Sequence, residues 1–127
     1  MDPQTRQRVR VRAGHRCEYC QLAEAKSPLA KLQIEHVLPK KHGGTDEIGN
    51  LALACIDCNL HKGANLTVID PDTGQVTGLF NPRSERWEEH FKWDGFVLTG
   101  ITAAGRTTVR VLDINSDDQI QVRLMTG

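Results

Sequence analysis

The chain has four cysteines, and they stand as two C-x-x-C pairs, Cys17 with Cys20 and Cys55 with Cys58. Each pair offers two sulfurs from one bend of backbone, and four soft donors converging on one point are what a tetrahedral zinc ion requires. The pairs are separated by 34 residues, more than a simple zinc ribbon uses. That interval predicts a structural zinc site, one ion per chain, with a functional excursion between its halves. Disulfides are the rival, but no secretory signal is read in the chain, and a cytosolic setting disfavours them. Redox chemistry at one pair would leave the other pair unexplained.

A length of 127 residues suits one domain, or one domain with an appendage, whose modest core a structural metal would help to hold. No apolar run approaches a membrane span, and the basic N-terminus lacks the apolar stretch of a signal peptide. A cytoplasmic protein without membrane contact is therefore expected. Residues 4–12 alternate Arg with Val like a strand, yet are rich in helix formers, and the local signal leaves the choice open. Leu32 to Leu38 reads as a strand stopped by Pro39, the stretch from Lys40 to Thr45 as a glycine-containing loop, and the residues from Asn59 to Lys62 as the start of a helix.

Beyond Gly63 the character changes. The turn from Asp70 to Gly74 should join two short strands, and Asp94-Gly95 should join the strands 87–93 and 96–101. On the first of these, Trp87, Glu89, Phe91 and Trp93 would share one largely buried face. From Thr102 onward one or two short helices are expected, with Ser116 capping residues 117–124.

A formal net charge of zero is unusual for a protein that binds nucleic acid, but it conceals an asymmetry. Residues 1–62 carry ten Lys/Arg against seven Asp/Glu, and residues 63–127 six against nine. Arg6, Arg8, Arg10, Arg12 and Arg16 crowd into eleven residues, which reads either as a phosphate-facing patch or as a solvated arginine face.

Five pieces lie in order along the chain: Arg16-Cys-Glu-Tyr-Cys20, Ile34-Glu-His-Val-Leu-Pro39, Gly43-Gly44, Asn50-Leu51, and Cys55-x-x-Cys58-Asn59-x-x-Lys62. Together they resemble the HNH nucleases, also called ββα-metal or His-Me finger nucleases, over roughly residues 6–63. The stretches from Leu79 to Arg83 and Trp87 to Phe91, with Gly105-Arg106, resemble a C-terminal extension found in small bacterial HNH proteins.

The resemblance implies an α+β fold. A ββα-metal HNH domain stapled by the zinc knuckle would occupy residues 1–66, and an extension of hairpins and short helices, 67–127, would pack on it. It implies a metal-dependent endonuclease acting on DNA, or on RNA, as a monomer or homodimer. His36 would be the general base, and Glu35 and Asn59 would hold a catalytic Mg²⁺ or Mn²⁺, with His61 the second choice for the place of Asn59. Asn50 would fix the loop that carries His36. Arg6, Arg8, Arg10, Arg12, Arg16, Lys40, Lys41 and Lys62 would contact phosphates. The alternative is a zinc-knuckle module for nucleic-acid binding or protein interaction that has lost catalysis.

Overall fold

Asp2 and Pro3 decide what the alternating Arg/Val pattern left open. The Asp2 carboxylate accepts a hydrogen bond from Thr5 N at 2.7 Å, and Pro3 supplies the φ that a first helical residue needs, so helix α1 runs Pro3–Arg12. The computed structural model describes residues 1–27 and 31–126. Among them α1 buries Val9 completely and leaves Arg6 and Arg8 exposed.

After the first knuckle come strand β1, Gln33–His36, and strand β2, Leu51–Ala54. They pair antiparallel with Glu35 opposite Ala52 and His36 opposite Leu51. Helix α2, Ile56–Lys62, follows at once, and Cys55 is its N-cap, its sulfur accepting from Cys58 N at 3.4 Å. The order β1–β2–α2 is the ββα unit. The helix begins three residues earlier than the sequence suggested, because the second knuckle is itself its first turn.

The second half is built from two more antiparallel hairpins and two helices. Strands β3, Thr67–Ile69, and β4, Val76–Gly78, flank the turn that begins at Asp70. Strands β5, Phe91–Asp94, and β6, Val97–Gly100, flank Asp94-Gly95. Helix α3, Ala103–Val111, is capped by Thr102, whose hydroxyl accepts from Gly105 N at 3.0 Å. Helix α4, Asp117–Thr126, is capped by Ser116, whose hydroxyl accepts from Gln119 N at 3.2 Å. Each such cap satisfies a donor that the helix cannot, worth about 1 kcal/mol. A side chain at Gly105 would collide with the carbonyl of His90, so α3 lies with its backbone against the residues leading into β5.

One expectation fails here. Trp87 to Glu89 form a 3-10 turn rather than strand, so the alternation over 87–93 never becomes a face. Phe91 is buried, Trp87 half-buried, and Glu89 and Trp93 are exposed. The arrangement as a whole is α+β, and one apolar cluster runs through both halves, joining Val9, Tyr19, Leu51 and Leu53 to Phe80, Phe91, Leu98, Leu112 and Ile114.

Candidate active site and metal centre

The two knuckles bring Cys17, Cys20, Cys55 and Cys58 together in the interior, with all four sulfurs within 4.8 Å of one another. Cys20 Sγ lies 3.7 Å from Cys55 Sγ. A tetrahedron with zinc–sulfur bonds of about 2.3 Å has edges of about 3.8 Å, so the cluster has the size the ion needs. The electrostatics agree. Hydrogen bonds from Cys17, Cys20 and Cys58 hold the Cys55 thiol far below its ordinary range. Hydrogen bonding with Cys17 first, and with Cys55 after it, pushes Cys20 up, and Cys17, Cys20 and Cys55 do the same to Cys58. A divalent ion at the centre would stabilise all four sulfurs as thiolates.

The extension clamps this knuckle. Trp87 Nε1 donates to the carbonyl of Tyr19 at 2.8 Å, and Arg83 pairs with Glu18. The other oxygen of Glu18 accepts from Leu53 N at 2.8 Å, so the clamp reaches β2.

Gln33 and Glu35 occupy one face of β1, and α2 lies against it. Asn59 Nδ2 donates to Gln33 Oε1 at 2.8 Å, and Lys62, one turn farther along α2, donates to Glu35 Oε2 at 2.9 Å. The remaining oxygen of Glu35 accepts from the Tyr19 hydroxyl. Burial pushes the Glu35 carboxyl up, against the pull of Lys62 and Tyr19. The folded chain encloses two residues that were expected to meet a metal and a phosphate. Glu35 is 5% exposed with both oxygens engaged, so it presents no open position to a catalytic Mg²⁺. Lys62 is 3% exposed and donates as well to the carbonyls of His36 and Val37, each at 3.2 Å, so it does not face phosphate. Asn59 and Lys62 both reach from α2 to this face of β1, Asn59 to Gln33 and Lys62 to Glu35, and the Lys62 ammonium stands where a cation would neutralise the carboxylate.

His36 leaves β1 on the other face. Its Nε2 lies 2.7 Å from Asp46 Oδ1, and Lys40 Nζ stands 3.2 Å from the same oxygen. The hydrogen bond with His36, and after it the one with Lys40, holds the Asp46 carboxyl below its usual range, so it stays an acceptor. The loop between them is pinned by Asn50. Asn50 Oδ1 accepts from Leu38 N at 2.8 Å, and Nδ2 donates to the carbonyls of Leu38 at 3.0 Å and Thr45 at 2.9 Å. Gly43 adopts φ 92°, and a Cβ on Gly44 would overlap the Leu38 carbonyl oxygen. The Gly-Gly pair is what lets the loop double back far enough to bring Asp46 to His36.

Asn59 and His61 diverge as their helical spacing requires. Asn59 faces β1, whereas His61 Nδ1 bonds the Asp57 carbonyl at 2.7 Å, and its ring lines a groove with Asp57, Asp113 and Asp118. The arginines also separate. Arg10 donates to the Leu32 carbonyl at 2.8 Å and pairs with Glu24 at 3.4 Å, and Arg12 bonds the carbonyls of Ile48 and Leu51. These two brace α1 against the ββα unit. Arg6 and Arg8 are exposed and without a polar partner among the described residues, and Lys40 and Lys41 are exposed. Arg16 bonds the Gln21 carbonyl at 3.1 Å.

Sequence reasoning missed Asp46, Tyr19 and Gln33. Nothing local links Asp46 to a histidine ten residues earlier, and the one available signal was the Gly43-Gly44 reversal.

Residues 17–65 match the family model of the HNH endonucleases. Septu protein PtuB of Bacillus thuringiensis is 27% identical over 118 residues, a match covering 91% of this chain and 43% of that protein. The chain therefore spans less than half the length of this relative. No solved structure matches it.

Proposed function

We propose that the HNH domain at residues 17–65 is a nuclease that hydrolyses phosphodiester bonds in DNA, with His36 as the general base. The observation that carries this reading is the His36–Asp46 contact. An ionised carboxylate against Nε2 holds the ring proton on that nitrogen, which leaves Nδ1, without a partner among the described residues, to take a proton from an attacking water. Asp46 would then stabilise the imidazolium as it forms, and Asn50 keeps the loop from swinging the ring away. Lys40 and Lys41 supply positive charge for the phosphate on the same loop.

Zinc fits the four cysteines and would have a structural part, fixing the ends of the excursion that carries His36. The catalytic Mg²⁺ or Mn²⁺ that the family resemblance implies does not fit Glu35 as the chain is folded, and no step is assigned to it there. That mismatch favours one second reading, a nucleic-acid-binding module whose catalytic ion has been replaced by the Lys62 ammonium. Incubating the zinc-loaded protein with supercoiled plasmid, with Mg²⁺ or Mn²⁺ varied, separates the two. Nicking by the wild type that His36→Ala abolishes supports the nuclease, and binding without nicking at any metal concentration supports the module. Band patterns in the same assay distinguish single-strand from double-strand cuts, the latter requiring two copies at one site.

A further inference from the structure

A groove of about 220 Å³ opens between the first knuckle and the C-terminal extension, away from His36. Three cations line it, Arg16, Lys26 and Arg123, and none of the described lining residues is acidic. The rest of the chain sets this apart, since the half that supplies Arg123 carries nine acids against six bases. Nor are the charges spent on carboxylates. Arg123 donates to the carbonyl oxygens of Phe96 and Ile114 and to the Asn115 side chain, and Arg16 donates to the carbonyl of Gln21. Lys26 has no ion pair among the described residues.

Two aromatic rings stand in the same groove. Trp93 is 42% exposed and Phe96 43%, at the end of β5 and in the turn beyond it. The Arg123 guanidinium lies 5.2 Å from the centre of the Trp93 ring, which fixes the ring's orientation and leaves part of it open. Their exposed flat faces are surfaces on which a base can stack.

We propose that this groove binds unpaired nucleotides of a single-stranded nucleic acid, with a base stacked on Trp93 or Phe96 and the flanking phosphates on Arg16, Lys26 and Arg123. Each half of the ligand meets its complement: planar apolar faces meet rings, and phosphates meet cations with no competing carboxylate. Bases in a duplex are stacked on one another and offer no free face, so the groove selects unpaired strand. The inference rests on the nuclease reading for its biological sense, since it names the substrate class, but binding is measured without cleavage.

The test uses full-length, zinc-loaded His36→Ala protein without added Mg²⁺. Tryptophan fluorescence is followed while adding a thymidine oligonucleotide of about fifteen nucleotides. The same oligonucleotide as duplex, inorganic tripolyphosphate and a polyglutamate peptide are run in parallel. The expected result is quenching by the single strand that is absent in Trp93→Phe, with weaker binding of the duplex. Trp93→Ala should weaken single-strand affinity by about fivefold to a hundredfold. Arg16→Ala with Lys26→Ala should lower the salt slope by about 1.4. Trp93→Ala should keep the wild-type unfolding midpoint. Equal affinity for duplex and single strand, unchanged affinity in Trp93→Ala, or equal quenching by tripolyphosphate or polyglutamate would overturn the proposal. Plasmid nicking that survives Trp93→Ala at normal single-strand affinity removes the groove and leaves the nuclease. Stacking in a protein that never nicks does the reverse.

Discussion

Lys62 and Glu35 meet in the interior at 2.9 Å, with side chains 3% and 4% exposed, and the ammonium's other two hydrogen bonds go to the backbone at His36 and Val37. The pair therefore does more than neutralise itself. It ties the last turn of α2 to the strand end from which His36 projects.

Lys62→Met should cost about 3–5 kcal/mol, because it leaves the buried Glu35 carboxylate without a counter-charge and two carbonyls without their donor. Adding Glu35→Leu to it should recover much of the loss, since the uncompensated charge is then gone. Urea denaturation of the single and double variants measures both. Equal losses in the two would mean that the charge is not what the pairing serves.

Removing His36 should be a chemical lesion. His36→Ala is expected to lower the cleavage rate by about a hundredfold to ten-thousandfold with fold and zinc content unchanged. Asp46→Asn should reduce kcat while leaving KM nearly unaltered, because the amide no longer fixes the ring proton yet still fills the loop. Single-turnover kinetics on plasmid separate these effects. A fully active Asp46→Asn would place the carboxylate outside the chemistry.

The arginine cluster divides by what each guanidinium touches. Arg6→Ala with Arg8→Ala should flatten the salt dependence of duplex binding by about two units and leave stability alone. Arg12→Ala should lower the denaturation midpoint instead, because two carbonyls near β2 lose their donor. The reverse assignment of effects would return the outer pair to a purely solvated role.

Much of this was legible in residues and their order. The cysteine spacing predicted the cluster, the Asp70 turn and the Asp94-Gly95 turn predicted two hairpins, and Ser116 predicted a helix start. The N-terminal helix was hidden by an alternation of two, which is a strand's period, and the capping signal at Asp2-Pro3 was the better guide. The enclosure of Glu35 was hidden for a different reason. Neighbours on a strand point to opposite faces, and only the packing of α2 decides which face is closed, a long-range fact that no local pattern contains. The same holds for Asp46, whose place depends on how far a loop doubles back.

Acid should act on Asp70 and Glu35 in opposite senses. Hydrogen bonds from Arg106 hold the Asp70 carboxyl below the usual range. Its contribution is complete above the ordinary aspartate value, about 3.9, and is lost as pH falls through its depressed folded value. Glu35, lifted by burial, favours the fold most below about 4.3 and less as pH rises through its folded value. Subtracting the midpoint of Asp70→Asn from that of wild type across pH 2 to 6 isolates the first. The difference should shrink toward low pH, and a constant difference would remove Arg106 as the cause.

Stripping the zinc should unfold the N-terminal half. Dialysis against a strong chelator should release one zinc per chain with loss of helical circular dichroism, and Cys58→Ala should mimic it. A chain that stays folded without metal, with its cysteines disulfide-linked, would end the zinc assignment.

The four sulfurs also act as a clasp on a noose. Everything between Cys20 and Cys55 is one closed loop of 34 residues, and His36, Asp46 and Asn50 all hang on it. Opening the clasp does not loosen one contact at a time. It lets out the whole length at once, so that an oxidant or a competing metal at the sulfurs would switch the site off as a unit and leave no partly active form behind.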